Sequence, residues 1–475
     1  MVASCALVER APLRWPVLWL TLWLGAAGAV APGALAAAAT GLAEPSPNET
    51  PEETSSEPTT ADATLTLDRA LALALERNPG LAVHRFELDA ARAAELSAAV
   101  YPHNPELEVE AADRRGLDGS STDHGLSLTQ ELELAGQRAK RRALAGAGTE
   151  ASRRRFQRRR AELVAAVEDA FAHAVAAREL ARIARLDADL ARRMVETESR
   201  RLEAGAGTQI DLNLARAAAG RTESVLAHTR AESWSARAIL AELVGLDPAA
   251  PPEVDGELPH RSARPGSRSA PEPETEEVVA RALASRADLQ ALRRQAVAEE
   301  RRVELERASG RPNLRLRAFF AREEGDDLAG AAVGVALPLF DRNQGAIAGA
   351  TVARDRARAR VAAAELEVRR EVAAALVRYR AGLDAVAAFE GQVVSSLDES
   401  LDLLDRAFLS GKVGITEVLI QRRELIDARR QEIQAAESAW RARLELELAT
   451  GEILDAAEGA ARAPAPAAGE PGGAS

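Results

Sequence analysis

Two halves of the sequence repeat one pattern. Leu81 answers to Leu289, Pro105 to Pro312, Leu132 to Leu337, Gly205 to Gly411 and Gly245 to Gly451, each pair 205 to 208 positions apart. Whatever unit one half folds into must therefore be built twice, with the small drift taken up in loops. The repeats are read as 65–247 and 275–455, joined by a Pro-rich linker, 248–274. Each is expected to run helix, strand, strand, long helix, helix.

The helical parts carry an apolar seam at threes and fours. In the second half it is Val372, Leu376, Tyr379, Leu383, Val386, Val393, Leu397, Leu401, Leu404 and Phe408; in the first, Phe156, Leu163, Val167, Phe171, Val175, Ile183, Leu186, Leu190 and Met194. No proline interrupts Arg138 to Leu202, a stretch that as one helix would reach about 100 Å. Hydrophobic residues are 47% of the chain but aromatics only 3%. The surplus is Ala, which favours helix and close helix packing but fills a globular core poorly. Long thin helices follow, and a coiled-coil scaffold without a membrane part would show the same periodicity.

The short segments between helices separate these readings. In Pro105 to Ala112, Leu107, Val109 and Ala111 alternate with Glu106, Glu108 and Glu110. In Gly125 to Glu133, Leu126, Leu128 and Leu132 alternate with Ser127, Thr129, Glu131 and Glu133. In Asn313 to Phe320, Leu314, Leu316, Ala318 and Phe320 alternate with Arg315 and Arg317, and Val333, Val335, Leu337 and Leu339 form the apolar set of the fourth segment. A period of two with one apolar and one charged face suits a wall between lipid and water. Four strands cannot close a barrel, and open edges are unsatisfied in lipid, so several copies must combine. The polar stretches Asp113 to His124 and Arg322 to Gly330 are expected to be the hairpin tips.

Residues 1–36 read as a signal peptide: Arg10 and Arg14 precede an apolar run, Val17 to Val30, and small residues around Ala36. Residues 37–64 and 456–475 read as a disordered linker and tail. The one cysteine, Cys5, lies in the leader, so the exported chain is expected to have no disulfide, no thiolate metal site and no lipid anchor. A net charge of −12 argues against nucleic acid as a partner. The six histidines are scattered and belong to no metal-spaced cluster, and no catalytic set emerges. No enzyme activity, cofactor or bound metal is expected.

The stretch Leu337, Pro338, Leu339, Phe340, Asp341, Arg342, Asn343, Gln344, Gly345, where strand passes into long helix, resembles the junction motif of TolC-like outer-membrane efflux proteins, particularly their heavy-metal-resistance branch. Gln130 to Arg138 resembles the same junction in the first half, and Leu65 to Asn78-Pro79 and the turns at Gly205 and Gly411 also fit. The resemblance implies a mainly α fold with membrane β. Three copies would each give four strands to a twelve-stranded outer-membrane β-barrel, above a tunnel of long antiparallel α-helices in the periplasm. It also implies a periplasmic adaptor protein and an inner-membrane RND-type pump as partners, the chain being a passive exit duct. The alternative from the residues alone is a periplasmic coiled-coil structural or adaptor protein with no barrel.

The resemblance further places the inner mouth of the tunnel at two helix–helix turns, Arg201 to Leu212 and Ala407 to Leu419. Glu417 falls where an acidic ring is expected, and Asp211 where a gate-closing contact is expected. Phe408 replaces a gate tyrosine and lacks its hydroxyl; Val413 replaces a gate arginine, for which Arg201 or Arg406 is the candidate substitute. Gly205, Gly207, Gly411 and Gly414 would permit tight turns and meet the adaptor. If metal ions are exported, selection is expected to lie in the pump.

Overall fold

In the computed structural model the described residues are 64–116, 119–258, 274–323, 326–389 and 392–454. The leader, nearly all of the 37–64 linker, the tail and the side chains of Val393 and Leu397 lie outside the described residues. The first half comprises α1 (Leu67–Arg77), α2 (Pro79–Ala99), β1 (Glu106–Gly116), β2 (Gly119–Leu132), α3 (Gln137–Glu203) and α4 (Gln209–Val244). The second comprises α5 (Thr275–Ser285), α6 (Ala287–Ser309), β3 (Leu314–Glu323), β4 (Asp326–Val335), α7 (Gln344–Ala387), α8 (Gln392–Leu409) and α9 (Ile415–Thr450).

The expected single opening helix of each half is in fact two. Asn78 caps both neighbours: its Oδ1 accepts from Leu81 N at 2.8 Å, and Pro79 at the first helical position needs no partner for a missing N–H. Its Nδ2 donates to Leu243 O at 2.9 Å, tying the break to the end of α4. Arg286 occupies the matching break. It is buried, forms ion pairs with Asp288 and Glu371, both at 2.6 Å, and reaches Ala449 O near the end of α9. One device thus appears twice, with an amide in one half and a guanidinium in the other.

α3 is unbroken for 67 residues, about 100 Å of helix. Its counterpart is not: the expected second long helix ends as α7 at Ala387, and α8 resumes at Gln392. The last turn tightens there, with Phe389 N donating to Val386 O at 2.9 Å. The seam is otherwise as patterned. Val167, Phe171, Val175, Leu190, Met194, Val372, Leu376, Leu404 and Phe408 are buried, interleaved with small buried residues such as Ala174, Ala184 and Ala188, while Leu186 is exposed.

The beginning of the Pro-rich linker is packed rather than free. Val254 bridges Leu65 in parallel, Val254 and Leu258 are buried, and Arg178 donates to Val254 O and Gly256 O at 2.6 and 2.7 Å. A side chain at Gly256 would meet the Phe171 ring at 3.1 Å, so the strap lies flat on α3.

Midway along the helices α3 and α9 share a titratable contact. His173 Nδ1 lies 2.9 Å from Glu437 Oε1; this hydrogen bond raises the imidazole pKa and lowers that of the carboxyl. The stabilisation is full only between the ordinary carboxylate and imidazole values, 4.5 and 6.5. It fades as pH rises through the raised His173 pKa, or falls through the lowered Glu437 pKa. His173→Gln should therefore lower the melting temperature more at pH 6 than at pH 9; an equal loss at both would mean the imidazole acts only through packing.

The strands form one antiparallel sheet in the order β1-β2-β3-β4, with β1 and β4 as open edges. The pairing reaches Gly116↔Gly119 and Glu323↔Asp326. Most of the two stretches expected as hairpin tips is therefore strand. The connections shrink to 117–118 and 324–325, outside the described residues, because polar residues pair as readily as apolar ones once the hairpin is in register.

Candidate functional site

The register decides which side chains share a face. Leu107 stands opposite Leu128, Leu128 opposite Ala318, and Ala318 opposite Ala331; one pair along, Val109, Leu126, Phe320 and Ala329 form the next row. Leu132, Leu314 and Val335 form a lower row on the same side. All four apolar sets thus fall on one face, interrupted by Gln130 opposite Leu316, and most of its large members are exposed, Val109 at 74% and Val333 at 69%, while Leu132 and Leu314 are half-buried. The other face carries Glu106, Glu108, Glu110, Ser127, Thr129, Glu131, Arg315 and Arg317, with ion pairs Arg317–Glu108 at 3.9 Å and Arg315–Glu131 at 3.8 Å. Phe319 breaks the polar face. Its ring lies over Gly330, where a Cβ would come within 2.5 Å, so the two residues act as a unit.

Below the sheet the junction motif explains itself. Asn343 takes a left-handed φ of 62°, as does Gly136 at the matching place with 72°. Asn tolerates this conformation better than most residues, and its Nδ2 is held by Glu306 O and Oε2, both at 2.8 Å. The Gln after each of these residues folds back: Gln137 Oε1 accepts from Ala135 N at 2.9 Å and Gln344 Oε1 from Arg342 N at 2.7 Å. Gln137 also donates to Asn313 Oδ1, and Asn313 to Glu131 Oε1, so β2, β3 and α3 meet through polar contacts. Gly310 passes so close to Arg342 O that a Cβ there would lie 2.6 Å from it. The nine residues are thus a bend that converts strand into helix.

At the far ends of the helices lie the two turns. Gly205 and Gly411 adopt left-handed φ of 73° and 74°, and a Cβ at Gly207 would press on Arg201 and Leu202; Gly414 faces open space. Asp211 and Thr208 form a reciprocal capping box that starts α4. The matching helix has Gly414 in place of Thr208, so Glu417 is left exposed, with Gln421 Nε2 at 3.2 Å. Phe408 is 1% exposed, in a cluster with Met194, Leu404, Ile415 and Val418. Arg201 lies over its ring at 5.0 Å, donates to Phe408 O at 2.8 Å and pairs with buried Glu198. Arg201 and Phe408 thus clamp α3 to the end of α8. Arg406 stands apart, paired with Asp402 at the surface.

One feature escaped sequence reasoning. Arg422 is buried on α9, 2.8 Å from Asp187 on α3 and near Asp405 on α8; burial pushes both carboxyls up and the guanidinium down. The available signal was an arginine falling in the apolar series Ile415, Val418, Leu425. Among the described residues no group of His, Cys, Asp or Glu is placed to hold a metal ion, and no helix is long and apolar enough to cross a membrane.

The chain is 30% identical over 376 residues to the cobalt-zinc-cadmium resistance protein CzcC of Cupriavidus metallidurans, covering 78% of this chain and 86% of that one. Among solved structures it resembles CusC (TM-score 0.66, 18% identity, covering 81% of this chain and 92% of that one). It also resembles the outer membrane protein VceC of Vibrio cholerae (0.65, 19%, 81% and 96%) and the MtrE outer membrane channel of Neisseria gonorrhoeae (0.61, 20%, 82% and 89%). The outer membrane efflux protein profile matches residues 70–246 and again 278–452, once over each sheet hairpin and its long helices. The fold is thus shared with these solved structures, and the chain belongs to the outer membrane efflux protein family.

Proposed function

We propose that three copies of this chain close their sheets, β1 of one against β4 of the next, into a barrel that opens into a helical tunnel. The single observation that carries this is the four-stranded sheet with two open edges and one face that is apolar apart from Gln130. The assembly is an outer-membrane exit duct, exported by the leader and seated without a lipid anchor. A periplasmic adaptor meets the turns at Gly205, Gly207, Gly411 and Gly414, and an inner-membrane RND-type pump supplies the energy. The likeness to a cobalt-zinc-cadmium resistance protein supports divalent metal cations as cargo, with selection in the pump. In cells holding the cognate pump and adaptor, deletion of this chain should lower tolerance to zinc, cobalt and cadmium together; unchanged tolerance to all three would rule out metal cargo.

At the mouth, Glu417 of three copies forms the acidic ring and concentrates cations. Asp211 is held by its own helix cap, and the Arg201–Phe408 clamp takes over the closing role of the missing tyrosine and arginine. Glu417→Lys should reduce cation selectivity and inward cation current in single-channel recordings. An unchanged current and selectivity would remove Glu417 from the mouth.

A further inference from the structure

The apolar face of the sheet does not end where strand pairing ends. β2 stops at Leu132 and β4 at Val335, yet Leu134, Leu337 and Leu339 continue the alternation and are 65%, 73% and 65% exposed. Phe340 follows at 93%, the most exposed of the large apolar side chains among the described residues. Directly after it come Asp341 and Arg342, and after Leu134 the helix start with Arg138, Lys140 and Arg141. An apolar cluster thus borders a charged rim at the same level in both repeats.

Much of the polar backbone of these loops is closed on the loops themselves. Leu339 N donates to Leu337 O at 2.9 Å, Asn343 N to Asp341 Oδ1 at 2.8 Å, Arg342 N and Ala135 N to the two folded-back glutamines. Phe340 O accepts from Gln344 Nε2 and Pro338 O from Arg342 Nε, both at 3.2 Å. In hydrocarbon each unsatisfied backbone group costs several kcal/mol, so irregular chain at that depth must satisfy itself.

We propose that Leu134, Leu337, Leu339 and Phe340 form a wedge sunk into the inner leaflet of the outer membrane, at the boundary of acyl chains and headgroups. The occupant facing them is lipid, because the wedge is continuous with the apolar sheet face. The inference rests on the barrel reading above. It gives the junction motif a second role: it fixes the depth at which the barrel sits and so the level at which the tunnel begins.

The test places a single nitroxide label on full-length protein in a Cys5→Ser background, at Phe340→Cys, at Ala318→Cys on the sheet face, or at the exposed helical site Arg200→Cys. Protein reconstituted in phospholipid vesicles is then probed with oxygen and with a water-soluble nickel chelate. At Phe340 the ratio of oxygen to nickel accessibility should be several-fold above that at Arg200 and below that at Ala318. A label at Phe340 reached by nickel as freely as Arg200, or shielded from both probes by a neighbouring copy, overturns the wedge while Ala318 remains in lipid. If Ala318 itself behaves as an aqueous site, the barrel reading fails and the wedge with it.

Discussion

Ala318→Arg should abolish assembled protein in the outer membrane. Ala318 lies in the middle row of the apolar face, between Leu128 and Ala331 on the adjoining strands. An arginine on a lipid face near the bilayer midplane costs about 2–4 kcal/mol, hence about 6–12 kcal/mol over three copies. That is comparable with the whole stability of an ordinary domain. One position along, Arg317 already carries the same charge on the opposite face, and Arg317→Gln, which removes only the distant Glu108 pair, should assemble normally. Native gels of the outer-membrane fraction read both variants; Ala318→Arg present at the level of the unaltered protein would mean that this face does not meet lipid.

Phe408→Ala has the second largest expected effect, a loss of about 3–5 kcal/mol in the turn-end cluster. The ring is among the largest fully buried side chains, and Arg201 both covers it and holds its carbonyl. Removing it leaves a cavity between α3, α8 and α9 and takes away the platform of the guanidinium. Lys412, exposed in the turn, reports the change: trypsin cleavage there should rise at least tenfold, since each 1.4 kcal/mol is worth about that factor. Cleavage as slow as in the unaltered protein would show that the turns are held by something other than this clamp.

Much of this architecture was legible because each unit is written twice. The alternating segments predicted not only strands but one shared apolar face, and Gly205 and Gly411 marked turns that indeed need left-handed backbone. The wrong details share one cause, tertiary grip that leaves no local trace. Asn78-Pro79 is a readable helix break, but its counterpart Arg286 is not a residue type that marks one; it holds the cap position without a side-chain capping bond, through Asp288 beside it and Glu371 and Ala449 on distant helices. The strap at Val254 looks like linker until Arg178 is seen holding its carbonyls. At the two helix–helix turns, the family resemblance offered Asp211 as a gate candidate and Phe408 in place of a gate tyrosine. The structure adds what the resemblance did not give: Phe408 is buried in a core, Asp211 is engaged in a cap, and Glu417 is exposed because Gly414 stands where Thr208 caps the sister helix.

Closure of the sheet among copies is the claim on which duct, mouth and wedge depend, and conductance of the purified full-length protein in planar bilayers tests it most directly. Discrete steps of one uniform size are the predicted result, each marking insertion of a complete cylinder. Detergent-free monomers that leave the bilayer silent at every protein concentration would contradict it.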